Sequence, residues 1–257
     1  MQIDGVRVLV TGGGSGLGEA AARGFHAAGA TVVVVDRDGD AADRVAKDLG
    51  VRALAVAADA ASEEDMTAAV ATGRDRAPLR AVVACAGGGS APARTLDRAG
   101  APHSLDVFER TVRNNLVTAF NTVRLAAAEM ATLDPVDDDG QRGAIVVTAS
   151  IAGYEGQIGQ VAYGSAKAGI IGMTLITARD LAAVGVRVNC IAPGLLNTPA
   201  WGPAESDFKT AFAKTVPFPK RFGAPPEFAA AARHLVENDY VNGHVLRLDG
   251  AIRFGPR

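Results

Sequence analysis

A phenol and an ammonium one helical turn apart can manage a proton together. In the stretch GQVAYGSAKAG, Tyr163 and Lys167 stand four residues apart, a spacing that puts two side chains on one helix face. A phenol is a poor base near neutral pH unless something favours its anion. An ammonium about 5 Å away does so by roughly 3 kcal/mol at an effective dielectric of 20, which makes the phenol a candidate acid/base. With 3 tyrosines and 5 lysines in 257 residues, chance supplies about 0.06 such pairs. The alternative is an ordinary pair on a solvated helix, so the pair needs a site around it. Ser150, 13 residues before Tyr163 in IVVTASIAG, is a second candidate, and Asn115 in VRNNLVTAFN a third.

The elements that must carry these residues follow from the apolar pattern. Short apolar runs of strand length alternate with longer helical patterns, the signature of βαβ units and a parallel sheet. Strands are expected at Val6–Val10, Thr31–Val35, Ala53–Ala57, Ala81–Ala84, Gly143–Thr148, Arg187–Ile191 and Val245–Leu248. Helices are expected at about Gly16–Ala28, Glu63–Thr72, Leu105–Ala131, Val161–Ala183 and Pro226–Glu237. The pattern predicts an α/β fold, a Rossmann-type doubly wound parallel sheet of about seven strands flanked by helices, as one domain over 1–257. In such a sheet the ligand crevice lies outside the carboxyl ends of the strands. Ser150, Cys85-Ala86-Gly87 and the first glycine-rich turn converge there. The segment Pro193–Gly223 delays the return to the sheet and reads as a substrate lid near 195–222.

That first turn, in VLVTGGGSGLGEAAARGF, places Gly12, Gly16 and Gly18 between a strand and a helix. Glycine there lets the backbone approach a pyrophosphate, and the helix N-terminus supplies N–H groups and a favourable dipole. Any tight turn also wants glycine, so the next strand matters. It ends VVVVDR, with Asp36 18 residues after Gly18, where an acidic residue accepts from the adenosine ribose hydroxyls of NAD and opposes a 2′-phosphate. Asp59 is a candidate for the adenine amine, or an ordinary helix cap.

Composition narrows the partners. The chain is 48% hydrophobic and 5% aromatic, with a net charge of −2. No basic block marks it for nucleic acid or an acidic membrane. No signal peptide or membrane-spanning segment is read from the pattern. Cys85 and Cys190 make no disulfide framework and fit a reducing, cytoplasmic setting. His26, His103, His234 and His244 show no metal-ligand spacing, so no metal site is expected.

Taken in order, T-G-x-x-x-G-x-G, Asn115, Ser150, Tyr163-x-x-x-Lys167 and Pro193-Gly194 resemble the short-chain dehydrogenase/reductase family over essentially the whole chain. The segments YEGQIGQVAY, GMTLITARDLA, VPFPKRFG and VNGHVLRLDGAIR are similar to its branch acting on 3-hydroxyacyl-CoA and hydroxysteroids. The resemblance implies that Tyr163 transfers the proton and that Lys167 binds the nicotinamide ribose and favours the phenolate. Ser150 donates to the substrate oxygen, and Asn115 holds a water on the proton path. Gln157 joins Ser150 and Tyr163 at the substrate. Cofactor contacts fall on Gly12, Ser15, Gly16, Leu17, Gly18, Asp36, Asp59, Ala60, Cys85, Ala86, Gly87, Tyr163, Lys167, Pro193, Leu196 and Thr198. Two departures stand out: Ala84-Cys85-Ala86-Gly87 replaces the common Asn-Asn-Ala-Gly, and Leu196-Asn197 replaces an expected Phe-Gly in the cofactor lid.

The resemblance implies an NAD-dependent oxidoreductase of short-chain 3-hydroxyacyl-CoA, assembled as a homotetramer. The alternatives are a 3-oxoacyl-carrier-protein reductase, another alcohol or hydroxysteroid dehydrogenase, or a non-catalytic NAD-binding scaffold; intact Ser150, Tyr163 and Lys167 argue against the last. Lys209, Lys214 and Lys220, interleaved with Phe208, Phe212, Phe218 and Phe222, are candidates to meet coenzyme A phosphates at the lid rim. A solvated lysine face on an amphipathic helix is the alternative.

Overall fold

Seven apolar runs too short to be helices can satisfy their backbone groups only against one another. In the computed structural model, which describes residues 1–89, 91–201 and 207–256, they are β1 (Arg7–Thr11), β2 (Thr31–Asp36), β3 (Ala53–Ala57), β4 (Leu79–Ala84), β5 (Gly143–Thr148), β6 (Val186–Pro193) and β7 (Val245–Leu248). They form one sheet in the order β3-β2-β1-β4-β5-β6-β7, with every pairing parallel. Chain order reverses between β1 and β4, and a crevice opens at the carboxyl ends of strands at such a switch point.

Period-two alternation feeds two cores, one on each face. Val8, Val10, Val32, Val34, Val83 and Val146 face a core closed by α1 (Gly16–Ala27), α2 (Gly39–Leu49) and α8 (Pro225–Glu237). Leu9, Val33, Val35, Val82, Ile145 and Val147 face a core closed by α3 (Glu63–Ala71), α5 (Thr118–Met130) and α6 (Val161–Asp180). Small residues let these layers close. A Cβ on Gly24 of α1 would come within 3.0 Å of the Ala229 methyl on α8.

Three features differ from the sequence pattern. The pattern singles out no main helix between β2 and β3, yet α2 lies there. Its buried side is only Ala42, Val45 and Ala46, and its start is fixed by Asp38, which accepts from the Ala41 N–H at 3.1 Å. The expected single helix Leu105–Ala131 is α4 (Leu105–Val112), a wide π-helical turn at Arg113–Val117, and then α5. Third, the lid contains a short helix, α7 (Asp207–Ala213); 202–206 of the expected lid lie outside the described residues. By length and hydropathy α6 alone among the described helices is apolar enough to cross a membrane. One side of it packs on the sheet through Ile170 and Ala178, and it carries both Tyr163 and Lys167.

Candidate active site

At the switch point lies a cleft of about 410 Å3 lined from the ends of β1, β2, β3 and β4. The expected Gly12, Ser15, Gly16, Leu17, Gly18, Asp36, Asp59, Ala60, Cys85, Ala86, Gly87 and Thr198 all line it. Its floor exists because two glycines lack a side chain. A Cβ on Gly18 would fall 2.0 Å from the Gly12 carbonyl oxygen, and one on Gly12, at φ 67, would fall 2.9 Å from the Ala86 nitrogen. Backbone and the N-terminus of α1 therefore face the cleft, a cradle that a diphosphate fits. The strand-end residue Cys85 donates its N–H to the Thr11 carbonyl at 3.1 Å, and Ala86 N–H reaches Thr11 Oγ1 at 3.3 Å. Backbone and Thr11 thus hold the two residues after Ala84, which stands where the common first asparagine would.

Asp36 ends β2 with its carboxylate oriented by two backbone donors, Gly14 N–H at 2.9 Å to Oδ2 and Asp38 N–H at 3.1 Å to Oδ1. The carboxylate has further lone pairs for ribose hydroxyls. Arg37 lines the same rim, exposed. Asp59 accepts from the Ala61 N–H at 2.9 Å, whereas the cap of α3 is Ser62, which accepts from Asp65 N–H at 3.2 Å.

Ser150 follows β5 in extended conformation and opens a 3₁₀ turn, Ile151–Gly153. Its Oγ accepts from Ala152 N–H at 3.2 Å, a bond that leaves its own O–H free to donate. Two glycines press this turn onto α6. A Cβ on Gly153 would lie 2.9 Å from the Ala168 nitrogen, and one on Gly164 would lie 3.1 Å from the Ala152 oxygen. The turn after Ser150 and the first turns of α6, which bear Tyr163 and Lys167, are therefore in direct backbone contact. The Lys167 ammonium, 5.6 Å from the Tyr163 ring centre, is buried and donates to the Thr148 carbonyl at 3.0 Å. Thr148 Oγ1 lies 3.4 Å from Cys85 Sγ. Burial pushes the Cys85 and Cys190 thiols up to about 11.

Asn115 sits in the π-helical turn, 1% exposed. Its amide donates to the carbonyls of Gly88 at 3.0 Å and Thr111 at 2.9 Å, while Oδ1 accepts from Gly88 N–H at 3.2 Å. The side chain holds the loop after β4, and both of its amide protons are taken. Gly87, at φ 150, approaches Asn115 so closely that a Cβ there would lie 2.7 Å from Oδ1.

The lid corrects two expectations. Leu196 does not line the cleft. It is 4% exposed, and its side chain turns into a smaller cavity behind the lid, where a Cβ on Gly223 would meet Leu196 Cδ2 at 2.2 Å. Pro193 is the buried last residue of β6, where the chain leaves the sheet. Lys209 is no rim cation: it is 6% exposed, and Nζ donates to Asn197 Oδ1 at 2.8 Å. Lys214 and Lys220 are exposed. Gln157 lies on the loop before α6, where its Oε1 accepts from Gln160 Nε2 at 3.1 Å. Thr148, Asn114 and Thr118 line the cleft without having been singled out in the sequence. Only Thr148 carried a signal, as a polar residue closing an apolar strand. Among the described residues no group of three or more His, Cys, Asp or Glu is placed to hold a metal ion.

The geometry has counterparts. The family model described as short chain dehydrogenase matches residues 6–208. The chain is 43% identical over 249 residues to 3-hydroxyacyl-CoA dehydrogenase type-2 of Drosophila melanogaster, covering 96% of this chain and 97% of that protein. The crystal structure of 3-hydroxyacyl-CoA dehydrogenase type-2 from Mycobacterium avium superposes with a TM-score of 0.96 at 45% identity, over 98% of each chain. A 3-ketoacyl-(acyl-carrier-protein) reductase from Brucella melitensis, complexed with NADH, superposes with a TM-score of 0.83 at 29% identity, over 97% of this chain and 98% of that one.

Proposed function

The chain belongs to the short-chain dehydrogenase family, and from that premise we propose that it oxidises short-chain 3-hydroxyacyl-CoA thioesters to 3-oxoacyl-CoA with NAD. The observation that carries the reading is the placement of the buried Lys167 ammonium 5.6 Å from the Tyr163 ring, on a helix in backbone contact with the turn that follows Ser150. The substrate class rests on the likeness to the type-2 hydroxyacyl-CoA dehydrogenases.

The residues present fit NAD: glycines leave room at the diphosphate cradle, and Asp36 stands at the ribose end of the cleft. When bound, NAD supplies the hydride acceptor for oxidation and the donor for reduction. Ser150 donates its free O–H to the substrate oxygen and orients it. Tyr163 takes the alcohol proton at its phenolic oxygen, and in the reverse direction gives it back. Lys167 holds the phenolate by charge, anchored by the Thr148 carbonyl. Asn115 fixes Gly88 and thus the loop that covers the cleft. Gln157 serves the substrate from the loop before α6.

Asp36 favours NAD because a 2′-phosphate beside it sets like charges together. That separates this reading from the carrier-protein reductase alternative with NADPH. Leu105, Phe120 and Ile176 are 67%, 49% and 61% exposed on α4, α5 and α6. Apolar side chains left this exposed support a homo-oligomer, which we read as a tetramer. Both cysteines are free, which supports a cytoplasmic setting.

The test is initial-rate NADH formation across 3-hydroxyacyl-CoA thioesters, secondary alcohols and hydroxysteroids, with 3-oxoacyl-carrier-protein reduction run alongside. The reading predicts the highest kcat/KM for a short-chain CoA thioester with NAD. A higher value for the carrier-protein thioester with NADPH contradicts it.

A further inference from the structure

The loop Ile151–Gln160 connects Ser150 to the helix of Tyr163 and carries Gln157. Its own ties are slight: the 3₁₀ turn at its start, and Gln160 bonded to Gln157 through both backbone and side chain at 3.2 and 3.1 Å. Tyr154 and Ile158 are 46% and 45% exposed. One outside hold comes from the loop after β4, where Ala93 N–H donates to Gly159 O at 2.8 Å. The loop's 3₁₀ turn packs on α6 through Gly153 and Gly164 and sets Ile151 among Leu195, Val216 and Ile252; its outer part, 154–158, is held from β7 and the chain beyond it. Arg247 places Nη1 2.7 Å from Glu155 Oε1, its guanidinium lies 5.0 Å from the Tyr154 ring centre, and Ile158 N–H donates to the Pro256 carbonyl at 3.0 Å.

The same guanidinium also reaches the base of the lid. Arg247 Nε donates to Asp249 Oδ2 at 2.7 Å. Asp249 packs against Gly194, where a Cβ would meet Asp249 Cβ at 2.8 Å, just as the chain leaves β6. The Glu155 side chain is 11% exposed, and its Oε2 has no hydrogen-bond partner among the described residues. Arg253, at 3.9 Å, is a distant second cation. A largely enclosed carboxylate in that position depends on its one close cation.

We propose that Glu155 and Arg247 are a positioning pair: through them β7 fixes the loop Ile151–Gln160, and with it Gln157, against the substrate while leaving the NAD cradle untouched. The pair rests on the dehydrogenase reading for its effect on KM, and on geometry alone for its effect on the loop. The charged groups around Arg247 are Glu155, Asp249 and Arg253, and the fork of a guanidinium suits two carboxylates at once.

The experiment compares wild type, Glu155→Ala and Glu155→Gln, the last keeping an oxygen acceptor for Arg247. In Glu155→Ala, KM for 3-hydroxybutyryl-CoA rises about tenfold, with kcat within about threefold and the Kd for NADH within about twofold. Glu155→Gln recovers most of the KM. Amide hydrogen exchange at 154–160 accelerates about tenfold or more in Glu155→Ala, while β1 and α1 exchange as in wild type. A folded variant with unchanged exchange at 154–160 overturns the pair, as does a fall in kcat at unchanged KM. If Glu155→Ala does not fold, Arg247→Lys takes its place, with a KM increase of about threefold expected and none overturning the proposal. A wild type without turnover on any thioester defeats the dehydrogenase reading instead, and the exchange measurement still decides the pair.

Discussion

Gly18 and Gly12 stand so close that a methyl group on Gly18 would lie 2.0 Å from the Gly12 carbonyl oxygen. The turn between β1 and α1 can hold its shape only with hydrogen at that position. Gly18→Ala is expected to weaken NADH binding at least about tenfold and to lower stability by roughly 1–3 kcal/mol, as overpacking does. Fluorescence titration with NADH and a thermal melt check both.

Asp36 lines the cleft, its carboxylate already oriented by Gly14 and Asp38, and the proposed function puts the adenosine ribose beside it. Two unit charges about 4 Å apart at an effective dielectric of 20 repel by about 4 kcal/mol, and the exposed Arg37 offsets part of that. Wild type is expected to prefer NAD over NADP, and Asp36→Ala to narrow the ratio of the two kcat/KM values at least about tenfold. Equal kcat/KM for both cofactors in the wild type contradicts the assignment.

The lid lysines divide by burial. Lys209 ties α7 to the segment bearing Thr198 through Asn197, so Lys209→Met is expected to raise the Kd for NADH about threefold or more with little dependence on salt. Lys214 and Lys220 are exposed. Replacing both by Ala is expected to raise KM for acetoacetyl-CoA about threefold at low salt and less at high salt, with little change for a thioester lacking the nucleotide. Equal shifts for both thioesters leave these lysines as surface charge.

Burial holds the Cys85 and Cys190 thiols protonated, with pKa values pushed up to about 11. At pH 8 only about one thiol in a thousand is then thiolate, the reactive form. Iodoacetamide is expected to label the native protein at least about tenfold more slowly than a free thiol, and faster as pH rises. The sign for stability follows: a pKa raised on folding contributes fully below the unfolded value of about 8.5 and is lost as pH climbs toward 11. Rapid stoichiometric labelling of the folded protein at pH 8 contradicts this placement.

The sheet was legible because strands buried on both faces must be apolar throughout, as in TVVVVD of β2 and GAIVVT of β5. The glycine cradle was legible because the close approach of backbone to backbone at Gly12 and Gly18 restricts residue type. α2 escaped because its buried side is two alanines and a valine between charges. The π-helical turn escaped because widening a helix by one residue leaves the side-chain pattern nearly intact; its marks are contacts such as Thr118 Oγ1 to the Arg113 carbonyl at 3.0 Å. Thr148 acts on Lys167 through a backbone carbonyl, which no residue type announces. Neither the rim nor the solvated face expected for the lid lysines fits Lys209, because its contact with Asn197, on a neighbouring segment, is not legible from spacing within the lid.

The central claim is that Tyr163, held beside the Lys167 ammonium, moves the proton. Tyr163→Phe removes one oxygen and keeps the ring and the cofactor cradle. Measured on one preparation, it is expected to lower kcat for 3-hydroxybutyryl-CoA oxidation by a factor of about 1,000 or more, with the Kd for NADH within about threefold of wild type. Retention of substantial turnover by Tyr163→Phe, with NADH bound normally, would remove Tyr163 from the acid/base role and contradict the account.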